Sequence, residues 1–206
     1  MVLILELIGT VAFAISGAAV GVRKKMDVLG VMILAMTTAV GGGIIRDVIL
    51  NVTPPAAFRT PVYALSALAV GLVVFILEAR RLFREKPRIY ERVLLWMDAL
   101  GLGLFTVSGM RAAYAALPDA NAFLAVFVGV VTGVGGGVLR DVMSGSVPYI
   151  FVKDFYATAS LAGAVVCALA WDRLGALPSM VAGACLIVLL RLLAVRFRWR
   201  LPRIGE

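Results

Sequence analysis

Along the chain, runs of about twenty mostly apolar residues alternate with short polar segments, and the alternation occurs seven times, over residues 2–22, 28–49, 60–80, 92–113, 120–143, 153–171 and 176–197. A hydrocarbon core about 30 Å thick requires roughly 20 such residues per helical crossing, so each run predicts one transmembrane helix. No run shows sustained period-2 alternation bounded by turn residues, which argues against a membrane-spanning barrel. The expected fold is therefore an all-α polytopic membrane protein. Composition agrees: 62% of residues are hydrophobic, 16% are charged and the mean hydropathy is +1.02, too apolar for an ordinary water-soluble domain. The opening "MVLILELIG" lacks a basic stretch and carries Glu6 inside its apolar run, so it reads as a retained first helix and not as a removed leader.

The net charge of +8 raises the question of a nucleic-acid partner, and its distribution answers it. When alternate loops are assigned to alternate sides, fourteen Lys and Arg residues fall on one side, in "RKK" at 23–25, in the 80–92 loop, at Lys153 and in the tail, against Arg59, Arg111 and Arg173 on the other. Such asymmetry is a topology signal. It predicts an inner-membrane protein with its amino end outside and its carboxyl end in the cytoplasm, in contact with lipid and with no nucleic acid.

The polar positions inside the spans repeat. "TTAVGGGIIRDV" at 37–48 returns as "VTGVGGGVLRDV" at 131–142, an offset of 94 that also pairs Pro54 with Pro148. Upstream, "ELIGTVAFAISG" lies over "DALGLGLFTVSG", pairing Glu6 with Asp98, Gly9 with Gly101, Phe13 with Phe105, Ser16 with Ser108 and Gly17 with Gly109. At 100° per residue the shared first-helix positions share one face roughly 100° wide. Each copy holds three spans, an odd number, so the second copy enters the membrane from the opposite side. This divides the chain into a first repeat (1–81), a basic linker (82–91), an inverted second repeat (92–173) and a seventh helix with a basic tail (174–206).

Glycine costs about 1 kcal/mol per residue in a helix, so Gly41, Gly42 and Gly43, and again Gly135, Gly136 and Gly137, predict that the second and fifth spans are broken near mid-bilayer. Exposed backbone at that depth requires a polar path beside it, which would make these glycines pore backbone. The alternative is that the glycines only let two helices approach closely. Charges follow each run within a turn, Arg46 and Asp47, then Arg140 and Asp141, and intramembrane charges are pathway residues or buried pairs. Neighbours in sequence point about 100° apart on a helix, so each arginine is expected to seek a partner other than the adjacent aspartate. Glu6, Arg46 and Asp47 should gather toward the outer side and Asp98, Arg140 and Asp141 toward the inner, two acids and one base at each mouth, a balance that favours cations.

Hydroxyls on Ser16, Thr37, Thr38, Ser108 and Thr132 either line the path or bond back to carbonyls of their own helices. Arg191 is expected to snorkel to the nearby membrane surface, and Trp96, Trp171 and Trp199 to anchor span ends. Cys167 and Cys185 read as small packing residues. The absence of histidine and of a phosphate-binding loop leaves no catalytic constellation and no means of primary pumping, so neither an enzyme nor a cofactor is expected.

Two copies of "GGGxxRDV", at 41–48 and 135–142, within three-helix repeats followed by a seventh helix, resemble the prokaryotic members of the trimeric intracellular cation (TRIC) channel family, which also carry a glycine-transporter domain label. The resemblance implies a homotrimer in which each protomer has its own pore between the repeats for potassium and sodium, shaped by the two glycine runs. Where animal relatives have a lysine-containing motif after the first glycines, this chain has Arg46 and Asp47. A secondary transporter of a small zwitterion such as glycine is the alternative function.

Overall fold

The computed structural model describes residues 2–79, 87–117, 120–152 and 155–199. The basic positions Arg80, Arg81, Arg84, Lys86, Lys153, Arg200 and Arg203 lie outside them. The described residues form helices α1 (Val2–Arg23), α2 (Val28–Ile49), α3 (Ala56–Arg59), α4 (Val62–Ala79), α5 (Pro87–Ala116), α6 (Ala122–Met143), α7 (Tyr149–Val152), α8 (Ala157–Leu174) and α9 (Ala176–Arg196), with no strand among them. Seven of these are long and apolar enough to cross a membrane. Two spans start elsewhere than hydrophobicity alone places them. The fourth begins at Pro87, where proline suits the first helical turn and polar residues continue the helix beyond the apolar run. The sixth begins only at Ala157, just after Phe155 takes a left-handed φ of 59° that a continuous helix does not accommodate.

The repeat extends into backbone detail. Asp27 caps α2 by accepting from the Gly30 amide at 2.7 Å, and Asn121, 94 residues on, caps α6 by accepting from Leu124 at 2.8 Å. At the other end, Asn51 (φ 55°) and Gly145 (φ 64°) close the two helices with the same left-handed turn. In each, the next amide donates back across the turn, Val52 to Asp47 O and Ser146 to Asp141 O, both at 2.8 Å.

The expected breaks in the second and fifth spans are absent. α2 and α6 run as uninterrupted helices through Gly41–Gly43 and Gly135–Gly137. An unpaired backbone group in hydrocarbon costs several kcal/mol, more than glycine's propensity penalty, so the helical bonds persist. The glycines act instead as the point of contact between α2 and α6: a methyl built on Gly42 would collide with the Thr132 carbonyl oxygen, and one on Gly136 with that of Thr38. This reciprocal contact marks the pseudo-two-fold axis.

α1 and α5 cross beside this seam in antiparallel fashion. Ser108 of α5 meets Glu6 of α1, whereas Ser16 of α1 meets Arg140 next to Asp98 of α5. Ten residues separate Glu6 from Ser16 and Asp98 from Ser108, so the two meetings lie about 15 Å apart. Between them the equivalent Phe13 and Phe105 pack with ring centroids 5.2 Å apart. α4 covers α1 and α2, and α8 covers α6 likewise. α9 breaks the symmetry by lying between α5 and α8, against Gly103, Gly163 and Cys167.

Candidate functional site

The first cluster sits where α1, α2, α4 and α5 converge. Glu6 accepts from Ser108 Oγ at 2.8 Å through Oε1 and from Tyr63 Oη at 2.6 Å through Oε2. Arg46 does not reach away from its neighbour: its Nε donates to Asp47 Oδ1 at 2.8 Å and its Nη2 lies equally near. The 100° separation of the two Cα–Cβ directions is overcome because the arginine stem is long enough to curl back over one residue. Asp47 Oδ2 accepts the Ala56 amide at 2.7 Å, which ties α3 to the end of α2. A cavity of about 140 Å³ opens here, with Glu6, Thr10, Arg46, Asp47, Tyr63 and Phe105 among its walls. Phe105, one of those walls, is the ring that packs on Phe13.

The second cluster repeats the plan in a closed form. Arg140 Nε donates to Asp141 Oδ1 at 2.8 Å, again the adjacent aspartate, and Asp141 Oδ2 accepts the Tyr149 amide at 2.8 Å. Arg140 Nη1 donates to Asp98 Oδ1 and to Ser16 Oγ, both at 2.6 Å, and the guanidinium carbon stands 4.7 Å from the Tyr149 ring centroid. Asp98, Arg140 and Asp141 are at most 1% exposed. An arginine bonded to two carboxylates and a hydroxyl is the condition under which so buried a charge is tolerated.

Arg191 corrects the expected charge balance. It does not snorkel: it is 1% exposed, and its Nη2 lies 3.7 Å from Asp98 Oδ2. The second cluster therefore holds two acids and two bases, whereas the first holds Glu6 and Asp47 against Arg46 alone. Arg191 lies within one and a half turns of the end of α9, a position from which the chain alone suggests an escape to water. The face it occupies is turned inward, toward Asp98.

The hydroxyls divide. Ser16 and Ser108 join the clusters, while Thr38 and Thr132 donate to Leu34 O and Val128 O in their own helices, both at 2.6 Å, and neither lines the cavity. Their Oγ1 atoms pack where methyls on Gly17 and Gly109 would stand. Thr37 is half-buried near Gly41. Sequence reasoning missed the tyrosines Tyr63, Tyr149 and Tyr156. The last of these is buried beneath Arg191, whose guanidinium carbon is 4.7 Å from its ring centroid. Tyr63 and Tyr156 each follow by seven residues the amide that Asp47 or Asp141 holds, a correspondence that a one-residue shift hides from the 94-residue offset.

Comparison with known proteins accords with this architecture. The glycine-transporter family profile matches twice, at residues 3–79 and 95–172. The chain is 39% identical over 200 residues to a UPF0126 membrane protein of Deinococcus radiodurans, covering 96% of this chain and 89% of that one. It is 36% identical over 201 residues to the UPF0126 inner membrane protein YadS of Escherichia coli K12, covering 96% and 93%. Among solved structures, one described as the structural basis for conductance through TRIC cation channels shares 40% identity with a TM-score of 0.83, over 98% of this chain and 97% of that one. A TRIC orthologue from Rhodobacter sphaeroides shares 36% identity with a TM-score of 0.85, over 96% and 98%. Because these similarities span both repeats and the helix that follows them, the chain belongs to the glycine-transporter (UPF0126) family of membrane proteins, the prokaryotic TRIC family.

Proposed function

We propose that the protein is a channel for monovalent cations, potassium and sodium, with a path through each protomer along the contact between the two inverted repeats. The path runs from the Glu6, Arg46 and Asp47 cavity, past Phe13 and Phe105, to the Asp98, Arg140 and Asp141 cluster. The observation that carries this reading is the pair of charged clusters about 15 Å apart on one pseudo-two-fold seam, one reached by a polar cavity and the other buried. Oxygens of Glu6, Asp47 and Tyr63 on the cavity wall suit a cation shedding part of its hydration. In this conformation the phenylalanine pair and the α2–α6 contact close the route, so conduction requires them to part.

The relatives whose structures are described as TRIC cation channels support the same function, and the name of the Rhodobacter sphaeroides protein supports a homotrimer. The Escherichia coli relative's description supports an inner-membrane location, and the loop-charge asymmetry favours a Glu6 end that faces outward. Carriage of a zwitterion such as glycine is less well served: a half-helix amino end suited to a substrate carboxylate is missing where α2 and α6 run unbroken.

Purified protein in a planar bilayer under a potassium chloride gradient tests the proposal. Unitary currents reversing near the potassium equilibrium potential are expected. Saturable glycine uptake with no unitary current would refute it.

A further inference from the structure

The two clusters differ in a way the repeat does not supply. At Glu6 both carboxylate oxygens carry hydroxyl donors. At Asp98, Oδ1 is bonded to Arg140, but Oδ2 has no hydrogen-bond partner. Tyr156, the counterpart of the Tyr63 that bonds Glu6, is 1% exposed and leaves its hydroxyl unpartnered. Arg191, from the one long helix outside the repeats, lies nearby with its own Nε unpartnered.

The two arginines are held very differently. Arg140 is fixed by bonds to Asp98, Asp141 and Ser16, all within 2.8 Å. Arg191 has one contact of 3.7 Å to Asp98 Oδ2, longer than a hydrogen bond, and a resting place over the Tyr156 ring. Buried polar atoms without partners are costly, and this cluster leaves two acceptors, Asp98 Oδ2 and Tyr156 Oη, and two guanidinium donors, Arg140 Nη2 and Arg191 Nε, in that state, although Arg140 is anchored by its other nitrogens and Arg191 is not.

We propose that Arg191 is a tethered counter-cation: its guanidinium stands in for a monovalent alkali cation at a site formed by Asp98 Oδ2 and Tyr156 Oη, and it withdraws when such a cation binds. With Arg191 displaced, the cluster has the same balance as the Glu6 end, two acids against one base, enough to hold one monovalent charge. The inference rests on the conduction reading for its role, though the site itself is testable without current.

The test is a charge cycle of Arg191→Gln, Asp98→Asn and the double variant, each purified and melted in potassium chloride and in N-methylglucamine chloride of equal ionic strength, then recorded in bilayers. Arg191→Gln should melt about 3 °C or more higher in potassium than in N-methylglucamine, a preference clearly smaller in the wild type, where the guanidinium competes, and absent from the double variant. Its unitary conductance at about 20 mM salt should exceed the wild type's severalfold, the gain fading near 1 M as screening shortens to about 3 Å. Equal behaviour of Arg191→Gln and the double variant in both assays overturns the proposal. So does failure of Arg191→Gln to fold in either salt while the double variant folds, since potassium then does not replace the guanidinium. If neither folds, Arg191→Lys decides: it keeps the charge but loses the planar stack on Tyr156, so potassium should stabilise it over N-methylglucamine, and identity with the wild type overturns the idea. A silent wild type with potassium-stabilised Arg191→Gln refutes conduction and leaves the site standing; a conducting wild type without that stabilisation does the reverse.

Discussion

Replacing single glycines of the first run by alanine distinguishes a packing seam from a helix break, because the three positions face different neighbours. A methyl at Gly42 would stand less than 3 Å from the Thr132 carbonyl oxygen, which is backbone and cannot rotate aside. Overpacking costs about 1–3 kcal/mol, and a rigid obstacle places Gly42→Ala near the upper figure. Alanine's better helix propensity returns about 1 kcal/mol, leaving a net loss of about 2 kcal/mol. At Gly41 the obstacle is the flexible Leu139 Cδ1, so cost and gain roughly cancel. At Gly43 the nearest atom is Arg46 Nη2 at 3.8 Å, ordinary contact, and Gly43→Ala should stabilise by up to about 1 kcal/mol. Neighbouring variants thus differ by about 3 kcal/mol in opposite directions, and Gly136→Ala should resemble Gly42→Ala because it meets the Thr38 carbonyl oxygen in the same way. Unfolding in mixed detergent micelles, followed by circular dichroism, measures the difference. If Gly42→Ala and Gly43→Ala shift stability alike, α2 and α6 are not held together at these glycines and the reasoning is wrong.

Asp98→Ala should cost about 3 kcal/mol or more in the same unfolding assay, because it strips a buried guanidinium of one of its two carboxylates; Glu6→Ala, at a half-exposed acid bonded only to hydroxyls, should cost clearly less. Phe13→Ala should cost about 3–5 kcal/mol, since its ring is 1% exposed and fills the space against Gly101 and Gly136. Phe105→Ala should deepen the Glu6 cavity and raise the fraction of time that single channels are open in bilayer recordings. Asp47→Asn should leave Arg46 without its charge partner and reduce cation over anion permeability, seen as a reversal potential shifted toward zero in a salt gradient.

The repeat, the helical count and the gathering of acids with arginines were legible because each is a pattern of residue types at fixed spacing. The fate of the glycines was not. Propensity is a local quantity, whereas what Gly42 does depends on the Thr132 carbonyl of a helix ninety residues away. Likewise, Cα–Cβ directions misjudge a side chain as long as that of Arg46 or Arg140, which curls onto the adjacent aspartate. Arg191 was misread for a related reason: distance from a helix end sets whether escape to water is feasible, but a buried acid on a neighbouring helix decides whether it occurs. The tyrosines were obscured by the one-residue difference between 47–56 and 141–149, and α3 and α7, four residues each, are too short to leave a periodic signal.

The Glu6 end holds a cavity of about 140 Å³ with polar walls, roomy enough for water, while the Asp98 cluster is buried. An electric potential across the bilayer falls where the medium is least polarisable, so most of the drop is focused onto the half containing Arg140 and Arg191. One elementary charge carried through a full 100 mV gains about 2.3 kcal/mol, and a loosely held guanidinium in the steepest part of that gradient feels a large share of it. On the proposed path, two equivalent halves would then meet opposite polarities unequally, and rectification in single-channel recordings is the expected sign of it.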